Sequence, residues 1–157
     1  FTTVGTNKKK KFCETLGVHN VYNYKETDFF DEIKKTEKSG IDIILDYVGG
    51  DYINKNINLL KSDGKLINIG FLNGSQANIN LMKIMLKRLT ITGSTLRIRE
   101  KKYKAKILND LKKIVFPNFE NGKIKCYIDS VFKLKDVVSS HKYLESGGHI
   151  GKIVLEV

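Results

Sequence analysis

This 157-residue chain has little of what specialised chemistry needs: two cysteines, three histidines, one proline, no tryptophan, and only Arg88, Arg97 and Arg99 as arginines among 28 basic residues. Cys13 and Cys126 are far apart and form no Cys-x-x-Cys, so neither a disulfide framework nor a structural zinc site is expected, and a reducing, cytoplasmic setting follows. His19, His141 and His149 show no metal-ligand spacing and accompany no nucleophile motif; each reads as a surface or packing residue rather than a catalytic one. Long apolar runs are missing too. The longest, residues 41–48, is interrupted by Asp42 and Asp46, and no signal peptide is visible, so no membrane partner is expected. The net charge of +11 would ordinarily suggest nucleic acid. With lysines spread from position 8 to 152 among acids, and almost no arginine for bidentate recognition, nucleic acid is not the expected partner.

What is present is an alternation of strand and helix patterns, which indicates parallel βαβ units. Residues 1–5 read as a strand, 7–16 as a helix closed by Gly17, and 20–24 as the next strand. Thr27 is expected to cap a helix reaching about residue 38, with Phe29, Phe30 and Ile33 inward. The β-branched run 41–46 predicts a central parallel strand buried on both faces. A helix over 51–60, a strand over 65–69, a short helix over 81–87 and a strand over 89–93 continue the pattern. Residues 100–115 form an amphipathic helix, with Ile107, Leu108, Leu111 and Ile114 on one face and Pro117 as its stop. Extended, helical and extended segments then follow over 125–132, 135–146 and 152–157. The expected class is α/β: a Rossmann-like doubly wound parallel sheet over residues 1–120 that lacks its first strand and glycine-rich turn, followed by a C-terminal segment, 121–157, that belongs to another domain.

In such sheets ligands bind outside the carboxyl ends of the strands. Four of these ends carry small or polar loops: Gly5-Thr6, Val48-Gly49-Gly50, Gly70-Phe71-Leu72 and Ser94-Thr95-Leu96. The end of the second strand of a dinucleotide unit normally carries an acid for the ribose 2′-hydroxyl of NAD. Here no carboxylate lies between Thr3 and Lys11, and lysines follow the turn, an arrangement that favours NADP over NAD at a dinucleotide site. Lysines in a first helical turn are otherwise a solvated face. Tyr24 ends the strand after the Lys9 helix, where its ring could pack beside an adenosine and its hydroxyl reach a phosphate; an amphipathic tyrosine at a sheet rim fits equally well. Asp46 is expected to orient the following loop through backbone hydrogen bonds.

Gly5-Thr6-Asn7-Lys8-Lys9, Asn23-Tyr24, Ile44-Leu45-Asp46-Tyr47-Val48-Gly49-Gly50, the stretch 64–70, Lys102-Tyr103-Lys104, His141-Lys142-Tyr143 and Ile150-Gly151-Lys152-Ile153-Val154-Leu155 together resemble the C-terminal half of the zeta-crystallin-like, zinc-independent quinone oxidoreductases of the medium-chain dehydrogenase/reductase superfamily. The resemblance implies a GroES-like catalytic domain to which the chain's end returns. NADPH is the implied cofactor. Lys9 and Tyr24 would bind its 2′-phosphate, and Gly5 and Thr6 would line that pocket. Val48, Ile69, Gly70, Phe71, Leu72, Ser94, Thr95 and Leu96 would contact the adenosine, ribose or nicotinamide. An arginine found in some members would fall near Gly147-Gly148, where this chain has none. The implied reaction is metal-free hydride transfer to a quinone or related small electrophile in a homodimer, with no acid or base from these residues and no activity in the fragment alone. The alternatives are an enoyl or alkenal reductase of the same superfamily, and a non-catalytic nucleotide- or RNA-binding relative.

Overall fold

Helix starts in this chain are set by side chains that accept from free backbone amides. Thr6 Oγ1 accepts from Lys9 N at 3.2 Å to start α1 (Asn7–Thr15), and Asn80 Oδ1 accepts from Met82 N at 3.0 Å to start α4 (Leu81–Lys87). Asp28, one residue beyond the expected Thr27, caps α2 (Phe29–Thr36) through Phe30 N at 3.0 Å. Its carboxyl is held below the usual carboxylate range, first by its bond to Lys55. Asp31 and Glu32 in the first turn and Lys34 and Lys35 in the last turn of α2 complement the helix dipole.

The computed structural model describes all residues, 1–157, which fall into two units, Phe1–Arg99 and Glu100–Val157. In the first unit, β1 (Thr2–Val4) pairs in parallel with β2 (Val21–Asn23). Separately, β3 (Ile41–Asp46), β4 (Leu60–Asn68) and β5 (Thr90–Gly93) form a parallel sheet in that order. Between β3 and β4 runs α3 (Tyr52–Leu59). The period-2 side chains of β4 bring Leu66 into full burial, where it joins Ile53, Ile57 and Leu60, with Ile44, Ile79, Ile84 and Leu89 against them. A second cluster, Phe29, Ile33 and Leu59, carries Tyr22, Ile41 and Tyr52. Phe30, expected inward, is only partly buried. Lys87 Nζ closes the end of α3 by donating to the carbonyls of Ile57, Asn58 and Leu60 at 3.3, 3.0 and 2.6 Å, and burial lowers its pKa.

The strand expected to be buried on both faces is not. Ile43 and Leu45 in β3 are 59% and 60% exposed, because they alternate with Ile44, which packs against both clusters, and so point to the opposite face of the sheet, where neither cluster lies.

In the second unit, α5 (Lys101–Ile114) leaves the apolar face formed by Leu108, Leu111 and Ile114 exposed. The helix ends at Ile114 with Val115 as its C-cap, two residues before Pro117, which has no N–H to continue the ladder. Pro117 itself sits in the first turn of α6 (Phe116–Glu120), where a missing N–H costs nothing. The following strand begins later than expected: β6 (Ile128–Lys133) pairs in parallel with β7 (Lys152–Glu156), across a turn of 3₁₀ helix (Leu134–Asp136) and α7 (Val137–Ser146). Asp129 pins this arrangement. Its Oδ1 accepts from Ile150 N at 2.7 Å, and its Oδ2 accepts from Tyr143 Oη at 2.8 Å and Ser130 Oγ at 3.1 Å. His149 lies edge-on to Tyr143, with its buried Nδ1 lacking a hydrogen-bond partner. His19 and His141 are exposed.

Candidate functional site

Every residue singled out for cofactor binding lies in the first unit, at or just beyond the carboxyl end of a parallel strand. Gly5 follows β1, Thr6 caps α1, and Lys9 stands in the first turn of α1, half-buried. Tyr24 follows β2 and donates its amide to Val4 O at 3.0 Å. Its phenol then lies directly over Gly5, where an added Cβ would stand 2.8 Å from Tyr24 Oη. Any larger residue at position 5 would push this hydroxyl away. The first turn of α1 contains no acid within its own sequence.

A carboxylate nevertheless reaches it from outside. Asn7 Nδ2 donates to Glu26 Oε1 at 2.7 Å, and the buried Asn23 donates from Nδ2 to Asn7 Oδ1 at 3.1 Å. The amides of Glu26 and Thr27 both bond to Asn23 O at 3.0 Å, and the turn they make carries Glu26 back over the helix start. Sequence reasoning missed Asn7, Asn23 and Glu26; the available signal was a carboxylate three residues after the end of the neighbouring strand.

The ends of β3, β4 and β5 form a second group. Asp46, nearly fully buried, accepts from Val48 N at 2.7 Å and Gly49 N at 3.2 Å through Oδ1, and from Asn68 Nδ2 at 3.2 Å through Oδ2, the loop-orienting role expected of it. Gly49 and Gly50 take positive φ of 72° and 52°, which lets the loop fold back. A Cβ at Gly49 would stand 2.7 Å from the Phe71 ring. Leu72 N donates to Tyr47 O at 3.0 Å, Asn73 N to Val48 O at 2.7 Å and Gly50 N to Gly74 O at 2.9 Å, so Val48 is tied to the loop that carries Ile69, Gly70, Phe71 and Leu72. Ser94 joins through its amide to Asn68 O at 2.9 Å, and Thr95 and Leu96 extend from it at the exposed rim. Ile69, Phe71, Leu72 and Leu96 present apolar surface there.

Between the two groups runs a groove of about 460 Å³, bordered by Thr2 and Thr3 on one side and by Ile43, Leu45, Asp46 and Val48 on the other. Tyr52 lies in it, 4.9 Å centroid to centroid from Phe29. Burial first, then the nearby Tyr24, Asp28, Asp46 and Tyr47, push its phenol above the ordinary tyrosine value. Tyr52 thus lines the groove, and nothing in its helical context distinguished it beforehand. No three His, Cys, Asp or Glu residues are placed to hold a metal ion, and no helix is long and apolar enough to cross a membrane.

Residues 16–155 match the family described as zinc-binding dehydrogenase. Human quinone oxidoreductase is 30% identical over 155 residues, which cover 98% of this chain and 45% of that protein. The crystal structure of Escherichia coli quinone oxidoreductase complexed with NADPH aligns with a TM-score of 0.80 at 26% identity, over 99% of this chain and 48% of that one. The JamJ enoyl reductase in its apo form aligns with a TM-score of 0.79 at 24% identity, over 99% of this chain and 47% of that one, a likeness that bears on the fold alone. The chain spans less than half the length of these relatives. Parallel strands with helical crossovers, a rim of tied loops at the strand ends and a family match over most of the sequence lead to one assignment: the chain belongs to the zinc-binding dehydrogenase family, among the oxidoreductases of the medium-chain dehydrogenase/reductase superfamily, and carries its Rossmann-like fold.

Proposed function

We propose that the carboxyl-end rim of the first unit is the NADPH site of an NADPH-dependent quinone oxidoreductase. The observation that carries the cofactor choice is the Tyr24 phenol seated over Gly5, at the start of a helix whose first turn holds lysines and no acid. The residues fit such a group. Gly5 lets the Tyr24 phenol lie against the backbone beside the place where a 2′-substituent would sit, Lys9 stands on the first turn of the helix that starts there, and the loops tied by Asp46 hold the apolar side chains of the rim in place for a flat ring. Lys9 and Tyr24 would hold the 2′-phosphate, with Gly5 and Thr6 lining the pocket. Val48, Ile69, Gly70, Phe71, Leu72, Ser94, Thr95 and Leu96 would border the remainder. When bound, the reduced nicotinamide supplies a hydride, and a quinone accepts it.

What the chain's own residues contribute is position and exclusion of water. The 47–50 and 71–74 loops hold each other, so the apolar Phe71 and Leu72 are fixed where they can shield one face of a ring. No side chain of the rim needs to give or take a proton for this role. Residues 121–157 are read as returning to a GroES-like catalytic domain in a longer protein. The free outer edge of β5 supports a homodimer. Reduction of an activated carbon–carbon double bond is the second reading; steady-state assays of a full-length protein with quinones and with enones separate the two.

The cofactor assignment is tested on this chain with two probes, adenosine 2′,5′-bisphosphate and adenosine 5′-monophosphate. Lys9→Ala and Tyr24→Ala are each expected to weaken the bisphosphate by about fivefold, as for loss of a charge-assisted bond near solvent, and to leave the monophosphate unchanged. Equal weakening of both probes would remove the 2′-phosphate role.

A further inference from the structure

Three side chains that carry a carbonyl stand immediately before a glycine: Asp63-Gly64, Asn73-Gly74 and Asn121-Gly122. At such a pair the glycine nitrogen can attack Cγ of the preceding side chain, because glycine has no Cβ to hinder the approach and lets the backbone turn. The fold treats the three differently. Asp63 lies within β4 and is clamped by Arg88, whose Nε donates to Oδ1 at 2.8 Å and whose Nη2 donates to Oδ2 at 2.7 Å. That bond holds the carboxyl below its ordinary value, and an ionised carboxylate is a poor electrophile. The two asparagines match in their backbone: Gly74 and Gly122 have positive φ of 95° and 75°, open space around Cα, and amides that donate at 3.2 Å to Phe71 O and Phe119 O. Their side chains do not match. Asn121, which closes α6, accepts through Oδ1 from Lys123 N at 3.1 Å, a bond that must break before Cγ can turn onto the Gly122 nitrogen. The Asn73 side chain is exposed and makes no hydrogen bond.

Asn73 also stands where a change of covalent structure has most effect. Its Nδ2 lies against Gly50, 3.2 Å from the place a Cβ on that glycine would take. Two hydrogen bonds bracket the link between residues 73 and 74: Asn73 N donates to Val48 O at 2.7 Å, and Gly50 N donates to Gly74 O at 2.9 Å. The two loops are packed too closely to adjust. An added Cβ at Gly49 would stand 2.5 Å from Gly74 O, and one at Gly50 would stand 2.5 Å from Asn73 O.

We propose that Asn73-Gly74 is a site of spontaneous covalent modification, at which deamidation releases the 47–50 loop from the rim. The Gly74 nitrogen forms a bond to Asn73 Cγ and gives up its proton, and the Asn73 side-chain nitrogen leaves as ammonia, which closes a succinimide ring. Water then opens the ring in one of two ways. Attack at Cγ leaves an ordinary aspartate with the backbone unchanged. Attack at the backbone carbonyl carbon of residue 73 leaves the chain routed through Cγ, as an isoaspartate whose main chain is one carbon longer. Water is the only co-reactant, and nothing is oxidised or reduced. The added carbon falls between the two bracketing hydrogen bonds, so the isoaspartate loses at least one of them, whereas the aspartate keeps both. The reaction is the same whichever cofactor or substrate the rim binds.

The test incubates the 157-residue chain in warm neutral buffer, with and without denaturant, and follows each site by mass spectrometry of proteolytic fragments and by isoaspartate-specific methylation. In the folded chain residue 73 is expected to convert at least about fivefold faster than residue 121, as for one hydrogen bond that need not be broken, with residue 63 slower still. In denaturant residues 73 and 121 should convert alike. Amide hydrogen exchange reads the consequence: in the isoaspartate-bearing chain the amide of Gly50 or of residue 73 is expected to exchange at least about tenfold faster than in the fresh chain. Asn73→Asp reproduces the direct product and should keep the protection of the fresh chain. Asn73→Gln, which would have to close a larger ring, should pass through the same incubation unchanged at residue 73 and with its loop protected. The proposal is overturned if residue 73 stays an amide in the folded chain, if residue 121 converts as fast, if the preference for residue 73 persists in denaturant, or if the isoaspartate-bearing chain protects both amides as well as Asn73→Asp does.

Discussion

The two units of this chain are held together by different forces. In the first, buried apolar side chains from Phe29 to Leu66 make two clusters against β3 and β4. In the second no apolar side chain is buried, Ser140 alone falls below the surface, and the parallel pair β6–β7 is fastened by hydrogen bonds that converge on the Asp129 carboxylate. The lesson is that a parallel βαβ unit can be specified in two ways. One excludes water from a core; the other satisfies a single acceptor from three directions and leaves apolar surface, such as Leu108 and Ile114, facing out.

The widest gap between the two should appear on truncation of a side chain. Leu66 is fully buried, and Leu66→Ala is expected to cost about 2–5 kcal/mol of unfolding free energy, the lost transfer energy plus a cavity that the β4 backbone cannot close. Val131→Ala in β6, more than half exposed, should stay within about 0.5 kcal/mol. Denaturant unfolding of both variants measures the contrast. A Val131 effect as large as that of Leu66 would mean that the second unit has a core after all, and the comparison would fail.

A change of pH should act on the clasp of the second unit. The Asp129 carboxyl is held below the ordinary aspartate value of 3.8, chiefly by the Ile150 amide and then by the Tyr143 hydroxyl. A group whose folded-state pKa is depressed contributes stability that is complete above the unfolded-state value and is lost as pH falls through the folded-state value. Protection of the Ile150 amide, corrected for intrinsic exchange, is therefore expected to be constant above the ordinary carboxylate range and to fall below it. Asp129→Asn keeps an acceptor but cannot titrate, so its profile should be flat. A wild-type profile that is equally flat would show that the clasp does not depend on the charge.

How far the sequence discloses this molecule follows the same division. The alternation of β-branched and helical runs gives the order of elements in the first unit, because there periodicity and burial coincide: Phe29 and Ile33 face inward as their spacing predicts. The rim positions were also legible, since Gly5, Gly49 and Gly50 lie where chain turns at strand ends require them, and Asp46 orients its loop as a buried carboxylate after a strand should. The exposure of Ile43 and Leu45 was not legible, because a β-branched run looks the same whether one face of its sheet is covered or both. Asp129 and Glu26 escaped for a related reason. Their partners, Ile150 and Asn7, are separated from them by 21 and 19 positions, and no periodicity links residues across a crossover.

The smallest expected effect sharpens the comparison from inside the first unit, because its rim also contains a clasp of the second kind. Glu26 and Asn23 fasten Asn7 at the start of α1, and the Glu26 bond is exposed to solvent, so this contact can be altered at little cost to the fold. Glu26→Gln retains an oxygen to accept from Asn7 and removes one negative charge beside the place where a 2′-phosphate would sit. Both charges lie near solvent, which limits the benefit to roughly two- to fivefold tighter binding of adenosine 2′,5′-bisphosphate, with adenosine 5′-monophosphate unaffected. Raising the ionic strength should shrink the difference, since a Debye length of about 8 Å at physiological salt already screens such pairs. Thermal unfolding of the variant should match that of the parent chain. If the Gln variant instead lost stability while selectivity stayed fixed, the Asn7 contact would belong to the fold of the first unit rather than to its choice of ligand.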